Sequence, residues 1–312
     1  MSTPGDDATT PPFRAGFACF VGRPNAGKST LTNAMVGEKV AITSSKPQTT
    51  RHAVRGVLHR PDGQIVLVDT PGLHKPRTLL GQRLNDVVRA TWSEVDVIGL
   101  CVPADEPVGR GDRFIAAELA ELRKAVRFAV VTKTDLVSRE RLAEQLLAVS
   151  KLGDFAEVVP VSAVADDQVD LLADLLLKHL PESPPLYPDG HVTDEPVEVR
   201  IAEYVREAAL EGVRDELPHS LAVTVEEMTT REGRDGSDGR PPLVDVHATV
   251  YVERPSQKAI VLGHRGERMK QVGTDARRAI EELLGAKVYL DLHVKVAKDW
   301  QRDPKQLRRL GF

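Results

Sequence analysis

Gly22-Arg23-Pro24-Asn25-Ala26-Gly27-Lys28-Ser29 has the residue types and spacing needed to hold a phosphate. Its small residues let successive backbone N–H groups curl round an anion. A helix expected from Lys28 to about Val36 aims its N-terminal dipole and free N–H groups at the same place. Lys28 adds a point charge for the outer phosphates, and the Ser29 hydroxyl can ligate Mg2+. The plainer alternative is a glycine-rich turn that happens to precede a helix. An apolar run at 17–21 before the loop, and Gly37 as a helix stop after it, supply the context that a phosphate loop requires. The chain reads as nucleotide-binding.

A strand expected at 64–69 ends in Asp69-Thr70-Pro71-Gly72. An acid at a strand's carboxyl end, 41 residues after Lys28, suits holding Mg2+ through water. The Gly72 N–H can then meet the terminal phosphate. Asp-Thr-Pro-Gly alone is compatible with an ordinary turn; paired with the loop it is a strong signal. Thr132-Lys133-Thr134-Asp135 follows the apolar run 128–131 and occupies the place of a guanine-reading element. Asp135 would accept hydrogen bonds from guanine N1–H and the 2-amino group, a pair adenine does not offer. Lys133 would lie along the base, and the Ser162-Ala163 backbone would meet guanine O6. Each element is weak alone; in this order they favour guanine. The polar stretch 44–51 reads as a mobile switch loop, with Thr50 closing on Mg2+ when a γ-phosphate is present. Lys28, Thr50 and Gly72 are the candidate catalytic groups, and Ser29, Thr50 and Asp69 the candidate Mg2+ ligands.

Strands at 17–21, 54–60, 64–69, 95–102, 126–132 and 157–160 must position these groups, alternating with helices that start near Lys28, Leu79, Arg110, Arg139 and Asp167. That alternation predicts an α/β domain with a mostly parallel sheet covered on both faces, spanning 14–182. A length of 312 residues suggests about two domains. No apolar run approaches the ~18 residues of a membrane span. Residues 1–13 lack the basic–apolar pattern of a signal peptide and are expected as a disordered tail. Cys19 and Cys101 fall in apolar runs, as buried reduced thiols of a cytoplasmic chain do, without disulfide or zinc.

Four prolines and a glycine between Pro181 and Gly190 break the pattern, and 183–196 reads as an extended linker. A second unit, 197–312, follows: a helix at 197–211, strands at 222–228 and 243–253 around a polar loop, and an apolar stretch at 259–262. Then come Gly263-His264-Arg265-Gly266, a helix at 267–284, a strand at 287–296 and a basic tail with Trp300, Lys305, Arg308 and Arg309. From Arg254 onward, 14 Lys and Arg face 7 Asp and Glu, a local excess of +7 on a chain of net charge −4. A basic segment on an acidic chain points to a local anionic partner, although charged faces are often merely solvated.

Gly-Arg-Pro-Asn-Ala-Gly-Lys-Ser-Thr at 22–30, Pro-Gln-Thr-Thr-Arg at 47–51, Asp-Thr-Pro-Gly-Leu-His-Lys-Pro at 69–76 and Val-Ser-Ala at 161–163 together resemble the Era-like bacterial GTPases. The resemblance covers nearly the whole chain. It implies a P-loop NTPase doubly wound sheet followed by a smaller α+β domain. The α-β-β-α-α-β order with G-x-x-G before a helix likewise resembles a type II KH domain. GTP and GDP would be held by the loop from Gly22 through Thr30, by Asp69, Thr70, Pro71, Gly72 and Leu73, by Thr132, Lys133, Thr134 and Asp135, and by Ser162 and Ala163. Leu73 stands where Ras-like enzymes carry a glutamine that orients water, so hydrolysis should be slow without help. Asn25 matches an asparagine that helps bind K+ in related GTPases, and a loop-rigidifying hydrogen bond is the equal alternative. Thr132 departs from the family's asparagine and lacks the amide that would bond guanine N7 while tying the loop down. In the second unit, Gly263, His264, Arg265 and Gly266 would clamp an RNA backbone beside a groove for four nucleotides, with Arg265, Arg268 and Lys270 as electrostatic contacts. The resemblance further implies the 3′ end of small-subunit ribosomal RNA as target, a role in small-subunit assembly, and a cytoplasmic monomer, leaving a peripheral membrane contact open. A different class of function also fits the residues: a guanine-nucleotide sensor that hydrolyses little and whose second domain binds a protein or a membrane.

Overall fold

Two sheets organise the chain in the computed structural model, which describes residues 12–312 apart from 45, 47, 48, 74, 75, 77, 212, 214–216, 237, 238 and 240. The expected N-terminal tail lies outside the described residues except for its last two positions. The first unit runs β1 (Arg14–Val21), α1 (Lys28–Val36), β2 (Val54–Arg60), β3 (Gly63–Asp69), α2 (Leu79–Glu94), β4 (Val97–Pro103), α3 (Arg110–Ala120), β5 (Val126–Thr132), α4 (Arg139–Ser150), β6 (Glu157–Pro160) and α5 (Val169–His179). Its strands lie in the order β2-β3-β1-β4-β5-β6. All pair in parallel except β2, which runs antiparallel to β3. Every residue of β3 and β4 is buried. Their unbroken apolar runs are what a parallel sheet covered on both faces requires. Parallel pairing also brings the carboxyl ends of β1, β3, β4, β5 and β6 to one edge, where the loops that leave them can share a ligand.

The covering helices follow from spacing. In α2, Thr78 caps the first turn by accepting from the Gly81 N–H at 3.1 Å, and Leu80, Leu84, Val88 and Trp92 recur every fourth residue on the buried face. The segment 183–196 is pinned along the sheet rather than free. The Gln64 side chain accepts from the Leu186 and Tyr187 N–H groups, and Val57 N–H donates to the Val192 carbonyl.

The second unit comprises α6 (Val197–Leu210), the single turn α7 (Leu217–Ser220), β7 (Ala222–Thr230), β8 (Leu243–Val252), α8 (Pro255–Leu262), α9 (Glu267–Leu284), β9 (Lys287–Val296) and α10 (Pro304–Arg309). Its sheet is β7-β8-β9, antiparallel then parallel. α9 buries Val272, Ala276 and Ile280, one residue per turn. The C-terminal segment, expected as a basic tail, is a docked element instead. Trp300 is fully buried with its indole N–H on the Ser220 carbonyl at 3.1 Å, and Leu307 and Leu310 pack with Leu80 and Leu84 of α2. Those three apolar side chains among basic ones suffice to anchor it. Among the described residues no helix is long and apolar enough to cross a membrane.

Candidate functional site

At the carboxyl end of β1 the chain turns sharply at Gly22. A Cβ there would stand 2.5 Å from the Cys101 carbonyl, so the turn tolerates only glycine. Ala26 is fully buried, whereas Pro24 and Asn25 are exposed, with Asn25 in the left-handed region at φ 62°. The Arg23 side chain leaves the loop, donating to Asp112 at 2.8 Å and Glu106 at 3.0 Å. Lys28 is buried against the loop, its ammonium donating to the carbonyls of Gly22 at 3.2 Å and Arg23 at 2.9 Å.

Three oxygens converge beside it. Ser29 Oγ donates to Asp69 Oδ2 at 2.7 Å, Thr50 Oγ1 donates to the same oxygen at 2.9 Å, and the two hydroxyls lie 3.1 Å apart. Asp69 is completely buried. Burial pushes its carboxyl above the usual range, opposed by the Ser29 hydroxyl, the Lys28 charge and the Thr50 hydroxyl. Burial likewise pulls Lys28 down, with Asp69 opposing. Asp69 Oδ1 is buried and finds no hydrogen-bond partner among the described residues. A cation at the carboxylate and a phosphate at the ammonium would offset both burials. Two hydroxyls and a carboxylate are the hard-oxygen donors that Mg2+ prefers, so the residues fit that ion.

Lys28, Ser29 and Thr50 line a cavity of about 550 Å3 together with Asn25, Thr30, Thr43, Thr49, Thr70, Gly72 and Lys133, with Asp69 buried behind them. Gly72 lies beside the phosphate loop, a Cβ on it falling 3.7 Å from the Gly22 carbonyl and 3.8 Å from Lys28 Nζ. Pro71 is buried, and Leu73 is half-buried against the apolar cluster of β1, β4 and α2. Glu106 and Glu211 also border the cavity, and no local pattern in the sequence marks either one.

The residues expected to read guanine gather at the ends of β5 and β6. Asp135 Oδ1 accepts from Ser162 Oγ at 2.6 Å, and Ser162 Oγ accepts from the Ala165 N–H at 3.1 Å. Lys133 Nζ lies 3.6 Å from Asp105, Thr134 opens a single 3-10 turn, and Ala163 packs against the sheet's core. Thr132 corrects an expectation. Its hydroxyl donates to the Ala26 carbonyl at 2.8 Å, so threonine ties the phosphate loop to β5 without an amide.

In the second unit the G-x-x-G turn joins α8 to α9. Gly263 has φ 71°, and a Cβ on it would fall 2.6 Å from the Arg268 Cβ. His264 and Arg265 are exposed at the tip, Gly266 leads into α9, and Lys270 is exposed in its first turn. Arg268 departs from the expected phosphate contact. Its guanidinium donates to the carbonyls of Ala209 at 3.1 Å and Glu211 at 2.6 Å, holding the C-terminal end of α6. Both cysteines are buried free thiols, and burial pushes Cys101 up to about 12.

The chain matches a family described as 50S ribosome-binding GTPase over residues 17–133 and one described as KH domain over residues 216–301. GTPase Era of Streptomyces coelicolor is 69% identical over 304 residues, covering 96% of this chain and 95% of its own. GTPase Era of Mycolicibacterium smegmatis is 63% identical over 302 residues, covering 96% of this chain and 99% of its own. Among solved structures, Aquifex aeolicus Era bound to GDP and AlF4− aligns with a TM-score of 0.90 at 34% identity, over 96% of this chain and 99% of that one. A structure of Era with MgGDPNP and nucleotides 1506–1542 of 16S ribosomal RNA gives a TM-score of 0.89 at 34% identity, with the same coverage.

Proposed function

The chain belongs to the GTPase Era family, and on that premise we propose that it couples guanine-nucleotide binding to the 3′ end of 16S ribosomal RNA in assembly of the small ribosomal subunit. It is a GTPase that converts GTP to GDP and phosphate. The observation that carries the reading is the convergence of Ser29 and Thr50 on Asp69 beside Lys28, at the same sheet edge as the Asp135–Ser162 pair.

Each residue then has a task. Lys28 holds the outer phosphate oxygens, and the Gly72 N–H meets the γ-phosphate. Ser29, Thr50 and Asp69 would hold Mg2+, which when bound would neutralise charge developing on the phosphates. Asp135 reads the guanine edge while Ser162 orients its carboxylate. Leu73 offers no hydrogen bond to an attacking water, so intrinsic hydrolysis is slow. Asn25 would hold a K+ ion, which when bound would offset part of the charge that develops on the phosphates. The nucleotide unit spans 14–182 and the RNA unit 197–312, joined by 183–196, with Gly263, His264, Arg265, Gly266 and Lys270 on the RNA backbone. The protein works as a cytoplasmic monomer, and exposed Lys305 and Arg308 suit a passing contact with an anionic membrane surface.

Competition binding tests the nucleotide reading. GTP and GDP should displace a bound guanine probe while ATP does not, and Asp135→Asn should shift preference towards xanthine nucleotides, because an amide donates where a carboxylate accepts. ATP competing as well as GTP would overturn it. Hydrolysis should also run faster in K+ than in Na+, with Asn25→Ala removing the difference; equal rates would leave Asn25 a loop-shaping residue only.

A further inference from the structure

Lys39, Ile42 and Thr43, on the approach to the switch loop, and Thr49 within it, are held by the second domain. Ile42 is 4% exposed because it enters that domain's apolar core beside Ile201, Tyr204 and Val205 of α6. Glu207 of α6 accepts from the Thr43 N–H at 2.8 Å and pairs with the Lys39 ammonium. The Tyr204 hydroxyl and the Arg200 guanidinium donate to the Lys39 carbonyl at 3.0 and 3.2 Å. Arg206, 1% exposed and bound to Glu203, donates to the Thr49 carbonyl, one residue before Thr50. One helix therefore holds the chain at Lys39, Thr43 and Thr49, ahead of the candidate metal ligand Thr50. Within the nucleotide unit, Asn33 of α1 bonds to Val40 and Ala41.

We propose that Glu207 is a positioning residue for GTP hydrolysis. Resting on the GTPase reading above, the assignment is that its carboxylate, with Arg206, holds the loop so that Thr50 reaches the Mg2+ site. The second domain thereby completes the nucleotide site without touching the nucleotide. A hydrogen bond to a carboxylate is stronger than a neutral one, and here it also fixes where the loop leaves α1. Its loss frees Thr50, and Thr50 matters only when a γ-phosphate is present. GDP binding should therefore be indifferent to it.

The test uses the full chain, with Glu207→Ala and Glu207→Gln beside the parent. The glutamine keeps an oxygen acceptor for the Thr43 N–H, in a neutral hydrogen bond, and gives up the ion pair with exposed Lys39. Glu207→Ala should lower kcat by about tenfold, the scale of one charge-assisted hydrogen bond, and raise the Mg2+ concentration for half-maximal hydrolysis. GDP affinity should stay parental, and Glu207→Gln should recover most of kcat. A parental kcat in Glu207→Ala overturns the proposal. So does an equal loss of GDP and GTP binding, or a Glu207→Gln variant as slow as Glu207→Ala. Failure of the GTPase reading itself would register separately, as nucleotide binding that survives Lys28→Ala in the otherwise parental chain.

Discussion

At the end of β5 a single hydroxyl does what a longer amide would otherwise share between loop and base. Thr132 reaches the Ala26 carbonyl at 2.8 Å from a buried position. Thr132→Val keeps the shape and removes the donor, leaving a buried carbonyl unsatisfied at a cost of about 1–3 kcal/mol. Thermal melts should show a lower midpoint, and nucleotide titration a weaker complex; a valine variant equal to the parent in both would contradict the assigned tie. Thr132→Asn should instead tighten GDP binding by adding a bond to N7. That Lys28, Ser29 and Asp69 come together was legible in the sequence because each stands at a fixed offset from a strand or a helix. Arg268 was not. Residue type discloses a charge, but its partners, the Ala209 and Glu211 carbonyls, lie 59 and 57 residues away and only the fold brings them near.

Elements were readable where a period repeats, as in α2 and α9, and where unbroken apolar runs mark β3 and β4. The C-terminal element was unreadable for a physical reason: it is held by Trp300, Leu307 and Leu310, too few and too widely spaced to make a pattern. The same docking brings the Phe312 ring onto His52 at 4.9 Å, and Phe312 onto Trp300 at 5.6 Å. Burial lowers the His52 pKa below its usual 6.5, Arg206 and Arg51 add to this, and Glu203 opposes. A depressed folded value means the stabilising contribution is present above the unfolded value and lost as pH falls. Stability should therefore decline on acidification from about pH 6.5 downward through the lower folded value. His52→Phe, which keeps a ring for the stack, should flatten that part of the profile. Thermal midpoints of both proteins across pH 5 to 8 measure the difference; parallel profiles would remove His52 from the account.

Across the whole molecule, two units with separate cores meet at the switch loop, α6 and the C-terminal segment. The order of motifs announced both units, whereas the contact between them left no trace in sequence, because Ile42, Arg206 and Glu207 look like ordinary loop and helix residues. On the proposed function one chain carries a guanine-nucleotide site and, in its other unit, an RNA-binding turn. Gly263→Asp addresses it at the point of closest packing, since any Cβ there falls 2.6 Å from Arg268 and the new charge would oppose an RNA backbone. Arg265→Ala, on the exposed tip, should weaken RNA binding mildly and flatten its salt dependence. The decisive measurement is a titration of single-stranded RNA matching the 16S 3′ end, at several salt concentrations, beside a GTP titration of the same preparations. RNA binding should collapse in folded Gly263→Asp while GTP affinity stays near parental; RNA binding that survives unchanged in that variant would contradict the account.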